Sequence, residues 1–301
     1  MSFESFTPFS IAANGVEIFG VKGGTGPALL LLHGALQSHQ IWAQHATELA
    51  RHFTVIATDL RGYGASAKPR SDVEHAAYAK RAMAADQIEL MRQLGFERFL
   101  LCAHGRGTHV AQRMALDYPD AIERLMLLDA VPALALYGGV NQTIATAYFQ
   151  WFFLLQAAPV PERLISADPE AYFAGVRHQQ AGLLSATPEA LAAWQQTLHH
   201  DSAVHAMCED FRASATLDLR HERDDLERGR KIACPQRILW HRDGTLERCF
   251  APLDEWRRVG RDVSGRALPD PHIPPEQAVN ELLAEMLLFF ETDGDNLPAI
   301  C

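Results

Sequence analysis

The sequence predicts an α/β protein, a mostly parallel, doubly wound sheet carrying an inserted helical cap. Three observations predict it. In the first 131 residues, four short and nearly continuous apolar runs alternate with helix-patterned segments. From residue 132 to about 230 the pattern is aromatic and helical, with no convincing strand. Strand character then returns twice, and an amphipathic stretch closes the ordered part of the chain.

The four runs are "ALLLLHG" (28–34), "FTVIATDL" (53–60), "RFLLCAHG" (98–105) and "RLMLLDAV" (124–131). Such runs are expected of strands buried on both faces of a parallel sheet. Residues 77–94 read as a helix, with Gly95 where a C-terminal cap needs a left-handed residue, and 106–116 read as a second. "YFQWFFLLQAAPVPERLI" opens the helical stretch, and Pro and Gly separate its later segments. "QRILWHRDG" (236–244) and "SGRALPD" (264–270) read as strands, and 275–291 as the last helix. The expected division is a core of 1–131 and 231–293, a cap of 132–230 and a flexible tail of 294–301.

Composition narrows the function classes. With 27 Lys+Arg against 37 Asp+Glu and no basic run, nucleic acid and anionic membranes are poor partners, and a small-molecule substrate is expected. The five cysteines are odd in number and form no CxxC pair, so neither disulfides nor a zinc site is expected. Cys102 falls inside a buried strand and reads as inert. The first ten residues lack a basic region followed by an apolar run, and no apolar stretch approaches bilayer length, so a cytoplasmic location is expected. No cofactor motif occurs.

Ligands of doubly wound sheets bind beyond the carboxyl ends of the strands. The polar residues after the runs are His33, Asp59, His104, Asp129, Asp243 and His272. The third run ends in Ala103-His104-Gly105-Arg106-Gly107, the outline of a nucleophile elbow: strand before, helix after, small residues at both flanks. Glycine occupies the nucleophile's own slot. A plain strand-to-helix glycine turn, as in a dinucleotide fold, is the other reading of this stretch.

"DLRGYGASAKP" (59–69), "RMALDYPD" (113–120), "AAPVPERLI" (157–165) and "CEDFRA" (208–213) add a more specific likeness. With these motifs and the elbow, nearly the whole chain resembles the fluoroacetate (haloacetate) dehalogenases of the α/β-hydrolase fold. In that family an elbow aspartate attacks the halogen-bearing carbon, and a histidine then activates water to hydrolyse the ester. The resemblance puts Gly105 at the aspartate, His272 at the base and Asp129 at the carboxylate that orients it, with Asp243 as the alternative. Two arginines clamp the substrate carboxylate in the family, and here the positions hold Arg106 and His109. A His-Trp pair and a tyrosine hold the halide, and here Gln150, Trp151 and Phe211 stand there. An arginine beside a helix N-terminus also calls for an anion nearby.

Four departures in one pocket imply a naturally diverged relative. The expected activity is that of a cofactor-independent hydrolase or lyase acting on a small organic acid. His272, oriented by Asp129, would be the general base, and the backbone N–H groups of Ala35 and Arg106 the oxyanion hole. The resemblance also implies a homodimer. The alternatives are a haloacetate dehalogenase inactivated at Gly105, a ligand-binding protein without catalysis, and an epoxide hydrolase. For the last, Tyr148 is the one tyrosine on the expected cap helix 145–157.

Overall fold

An eight-stranded sheet organises the computed structural model, which describes residues 3–179, 188–269 and 279–291. Its strands are β1 (Thr7–Ala13), β2 (Val16–Gly23), β3 (Ala28–Leu32), β4 (Thr54–Thr58), β5 (Phe99–His104), β6 (Ile122–Leu128), β7 (Gln236–His241) and β8 (Val263–Leu268). They lie in the order β1-β2-β4-β3-β5-β6-β7-β8. The pairs β1–β2 and β2–β4 are antiparallel, and all others are parallel.

Each predicted strand is present, ending one to three residues short of the carboxyl end of its apolar run. Those last residues leave the sheet to form the turns that carry the polar groups. The hairpin β1–β2 was not foreseen. Its sequence signal is the Asn14-Gly15 pair, which takes φ +50° and +76° as a tight hairpin turn requires. Exposed residues along β1 and three glycines in and beyond β2 hide the apolar alternation there.

Residues i and i+1 of a central strand face opposite ways, so the parallel strands feed two cores. Leu29, Leu31, Cys102, Met126 and Leu128 pack on one face with Trp42, Met286 and Phe289. Leu30, Leu32, Leu101, Ala103, Leu125 and Leu127 pack on the other with Met83, Val110, Met114 and Trp256. Helices α1 (Ala43–Leu49), α2 (Lys80–Gln93) and α3 (Gly107–Asp117) cover the sheet between strands. Helix α2 begins after a short turn of 3₁₀ helix at Ala76–Tyr78 and ends at Gly95, whose φ of +89° closes it.

Between β6 and β7 the described residues are helices and loops. They include α4 (Ala133–Gly138), α5 (Gln142–Ala147), α6 (Phe149–Leu154), α7 (Val160–Ala167), α8 (Pro169–Gln179), α9 (Pro188–Thr197), α10 (Asp201–Ala213) and α11 (Leu219–Glu227). Helices α12 (Thr245–Cys249), α13 (Pro252–Val259) and α14 (Val279–Glu291) complete the fold. Residues 270–278, including His272, and the expected tail 294–301 lie outside the described residues. Among the described residues no helix is long and apolar enough to cross a membrane.

Candidate active site

The turn between β5 and α3 brings the chain to the carboxyl edge of the sheet. Gly105 sits there at φ +52°, its N–H on the Leu128 carbonyl at 3.0 Å and its carbonyl accepting the Thr108 hydroxyl at 2.7 Å. Two residues on, a side chain at Gly107 would place Cβ 2.5 Å from the His33 carbonyl, so helix and strand close together only over glycine. At Gly105 the surroundings are open. Among the described residues a Cβ there meets only the Gly34 Cα, at 3.5 Å. Among the described residues, neither the Ala35 nor the Arg106 backbone N–H donates to a partner.

Several polar residues at the strand ends are structural. His33 Nε2 accepts the Leu60 N–H at 3.0 Å, so Nδ1 carries the proton and donates to the Gly34 carbonyl at 2.7 Å. Asp59 accepts the His39 N–H at 2.7 Å, the His39 ring at 2.9 Å and the Ala65 N–H at 2.8 Å. It ties the turns after β3 and β4 together. The Gln37 amide oxygen binds the Gly34 N–H at 2.9 Å and lies 3.1 Å from His104 Nδ1.

Asp129 follows β6 at φ +51°, half-buried, with its N–H on the Leu239 carbonyl at 2.9 Å. Desolvation pushes its carboxyl up to about 6, against a hydrogen bond from the His241 backbone. Asp243 stands exposed at φ +58°, and its N–H donates to Glu247 at 2.5 Å. Of the two acids weighed as partners of His272, Asp129 is the one in a desolvated setting.

Arg106 finds an anion within the chain. It is buried, and Asp210 accepts from its Nε at 3.0 Å and its Nη2 at 2.7 Å. The same carboxylate takes the Tyr63 hydroxyl at 2.5 Å and the Lys80 ammonium. Burial pushes Asp210 up, but Arg106 and Lys80 outweigh it and hold the carboxyl far below the ordinary range. The anion that Arg106 meets among the described residues is thus a carboxylate of the chain itself. Its charge is already met, and only Nη1 is buried without a described partner. Asp210 was missed in the sequence although it lies inside the quoted "CEDFRA", one residue before Phe211.

His109, at the second clamp position, is buried and donates from Nε2 to the Val131 carbonyl at 2.9 Å. Desolvation, with Arg106 beside it, lowers its pKa to about 3, so the ring is neutral. Trp151 joins these groups. Its ring lies 5.9 Å from His109, 5.4 Å from Phe211 and 5.7 Å from Tyr137, and the Arg106 guanidinium sits 4.9 Å from it and 4.1 Å from Phe211. Gln150 is buried with its amide oxygen unpartnered among the described residues. Tyr148 packs edge-on to Trp151 at 6.4 Å.

Elsewhere, Glu162, His205 and Glu209 place ligand atoms within 4.8 Å of one another. Arg212 already donates to Glu162 at 2.6 Å and to Glu209 at 2.8 Å, so a cation occupies this cluster as part of the chain.

Comparison with known proteins agrees with this architecture. Residues 27–240 match the family model described as the alpha/beta hydrolase fold. A fluoroacetate dehalogenase from Burkholderia sp is 40% identical over 272 residues, 90% of this chain and 89% of the relative. The crystal structure of a protein from Nostoc sp PCC 7120 superposes with a TM-score of 0.93 at 41% identity, covering 97% of this chain and all of the other. A mutant protein from Pseudomonas aeruginosa, solved with bound MFA, gives 0.90 at 36% identity over 97% of each chain.

Proposed function

Because this chain belongs to the alpha/beta hydrolase family and is haloacetate dehalogenase-like, we propose that it is a hydrolase or lyase that works without a covalent nucleophile. The observation that carries this reading is the open turn at Gly105. Among the described residues an added Cβ there meets no atom nearer than the Gly34 Cα at 3.5 Å, the residue is glycine, and the two N–H groups of Ala35 and Arg106 beside it are unengaged.

In this reading His272, oriented by Asp129, takes a proton from water. The hydroxide attacks a substrate carbonyl carbon, and the carbonyl electron pair moves to oxygen under the N–H groups of Ala35 and Arg106. The tetrahedral intermediate collapses, the leaving group departs and His272 returns the proton to it. In the lyase variant the same base takes the proton from a substrate carbon, the electron pair left behind forms a double bond to the adjacent carbon, and the leaving group on that carbon departs with its bonding pair and receives the proton from His272. Residues 132–230 form a cap over the core, Trp151, Phe211, His109 and Gln150 line the pocket, and the protein acts in the cytoplasm as a homodimer with no cofactor.

The test is a hydrolysis screen of small carbonyl compounds with the unaltered protein and His272→Ala. Loss of the base is expected to lower turnover by roughly 10²–10⁴-fold. Unchanged turnover in that variant refutes the reading. The 40% identity to a fluoroacetate dehalogenase favours one second reading, a dehalogenase that has lost its attacking aspartate. Halide release by a Gly105→Asp variant separates the two.

A further inference from the structure

Between the turns after β3 and β4 on one side and helices α9 and α10 on the other lies a cavity of about 270 Å³. None of Gly105, Arg106, His109, Trp151 or Phe211 lines it. At the packing density of a protein interior such a volume holds roughly ten non-hydrogen atoms. Its apolar wall is Leu36, Trp194, Leu198 and Met207. Three consecutive residues of one turn, Gln37, Ser38 and His39, also line it and have bonding capacity to spare. Ser38 Oγ accepts from the Gln40 N–H and from Trp194 Nε1, both at 3.4 Å, so its own O–H is undonated among the described residues. Gln37 is buried, and its amide oxygen accepts the Gly34 N–H at 2.9 Å, which leaves its NH₂ without a described partner. His39 Nδ1 donates to Asp59 at 2.9 Å. Burial raises the Asp59 carboxyl, but that hydrogen bond outweighs it and holds the group ionised, below its ordinary range. In the neutral His39 ring Nε2 is then an acceptor, again without a described partner.

We infer that this cavity is a second small-molecule site, which takes an uncharged compound with an apolar body and one hydroxyl or carboxamide end. The inference goes beyond the hydrolase reading and uses none of its catalytic groups. Mostly apolar cavities with a few placed polar groups are the usual form of small-molecule sites. The body of the guest packs on Trp194, Leu36, Leu198 and Met207, and its removal from water drives binding. A hydroxyl or carboxamide is donor and acceptor at once. It accepts from the Gln37 NH₂ or the Ser38 O–H and donates to His39 Nε2. Charge selects the same class. The lining holds the Asp59 carboxylate and neither lysine nor arginine, so an anion would enter unpaired. A cation would find that carboxylate already taking three donors, the His39 N–H, the His39 ring and the Ala65 N–H.

Benzyl alcohol, benzoate and benzylammonium share one ring and differ in charge, and each is titrated calorimetrically into the full chain. The alcohol is expected to bind about tenfold or more tightly than either ion, because neither ion finds a free partner for its charge. Thr197 is half-buried on α9, lines the cavity, and spends its hydroxyl on the Ala193 carbonyl of its own helix at 3.0 Å. Thr197→Phe fills the space with a ring and is expected to weaken the alcohol about tenfold or more. Ser38→Ala removes one unspent donor and is expected to weaken it roughly threefold or more. If Thr197→Phe does not fold, Ser38→Ala decides in its place. No alcohol binding at millimolar concentration, binding that neither variant weakens, or an ion that binds as tightly as the alcohol overturns the proposal.

Discussion

Gly105→Asp tests the proposed absence of a nucleophile, and its cost is set by two features of the turn. The first is backbone strain. At φ +52° the Cβ of an L-residue crowds the following carbonyl, at about 1–2 kcal/mol, with aspartate among the residues that bear it best. The second is room. Among the described residues the new Cβ would meet only the Gly34 Cα, at an ordinary contact distance of 3.5 Å, so no packing penalty from them adds to the strain. A loss of about 1–2 kcal/mol lowers the melting temperature by roughly 2–8 °C in a protein of this size. Calorimetry or a fluorescence melt measures it. The same variant is assayed for halide released from fluoro- and chloroacetate. No release is expected, because neutral His109 stands where the dehalogenase resemblance puts a second clamping arginine, and Phe211, which has no hydroxyl, where it puts the halide-binding tyrosine. A melting loss well beyond 10 °C would refute the steric reasoning. Rapid halide release would refute the divergence and establish the inactivated dehalogenase instead.

The buried charges give two further expected outcomes. Asp210→Asn leaves Lys80 and Arg106 without their shared anion and is expected to cost about 3–5 kcal/mol in urea unfolding at pH 7. Its carboxyl is depressed in the fold, so the stabilisation is present above about pH 4 and fades as pH falls below it; a loss under about 1 kcal/mol contradicts the network. Asp129 behaves in the opposite sense. Its folded pKa is raised from 3.8 to about 6, so ionisation destabilises the fold, with no penalty below about pH 4 and the full penalty above about pH 6. Asp129→Asn is therefore expected to raise stability at pH 8 by up to about 3 kcal/mol, to leave it unchanged near pH 4, and to abolish turnover. An asparagine variant no more stable than the parent at pH 8 refutes the desolvation argument.

The alternation of apolar runs and helical patterns determined the parallel centre of the sheet and the helical stretch between β6 and β7, because strands buried on both faces must be apolar throughout. The elbow was equally legible, since a strand-to-helix turn this tight admits few residue types. The β1–β2 hairpin was not, because edge strands bury one face at most and their pattern is diluted by exposed residues. The position of Arg106 in the chain could be read, but not its electrical state. That depends on Asp210, 104 residues away on α10, and on Lys80 from α2, which only folding brings to the same carboxylate. The neutrality of His109 is decided in the same way, by burial and by the Val131 carbonyl. Sequence determines which groups are available at the edge of the sheet. Tertiary packing decides which of their charges and hydrogen bonds remain unspent, because desolvation and pairing act through space and not along the chain.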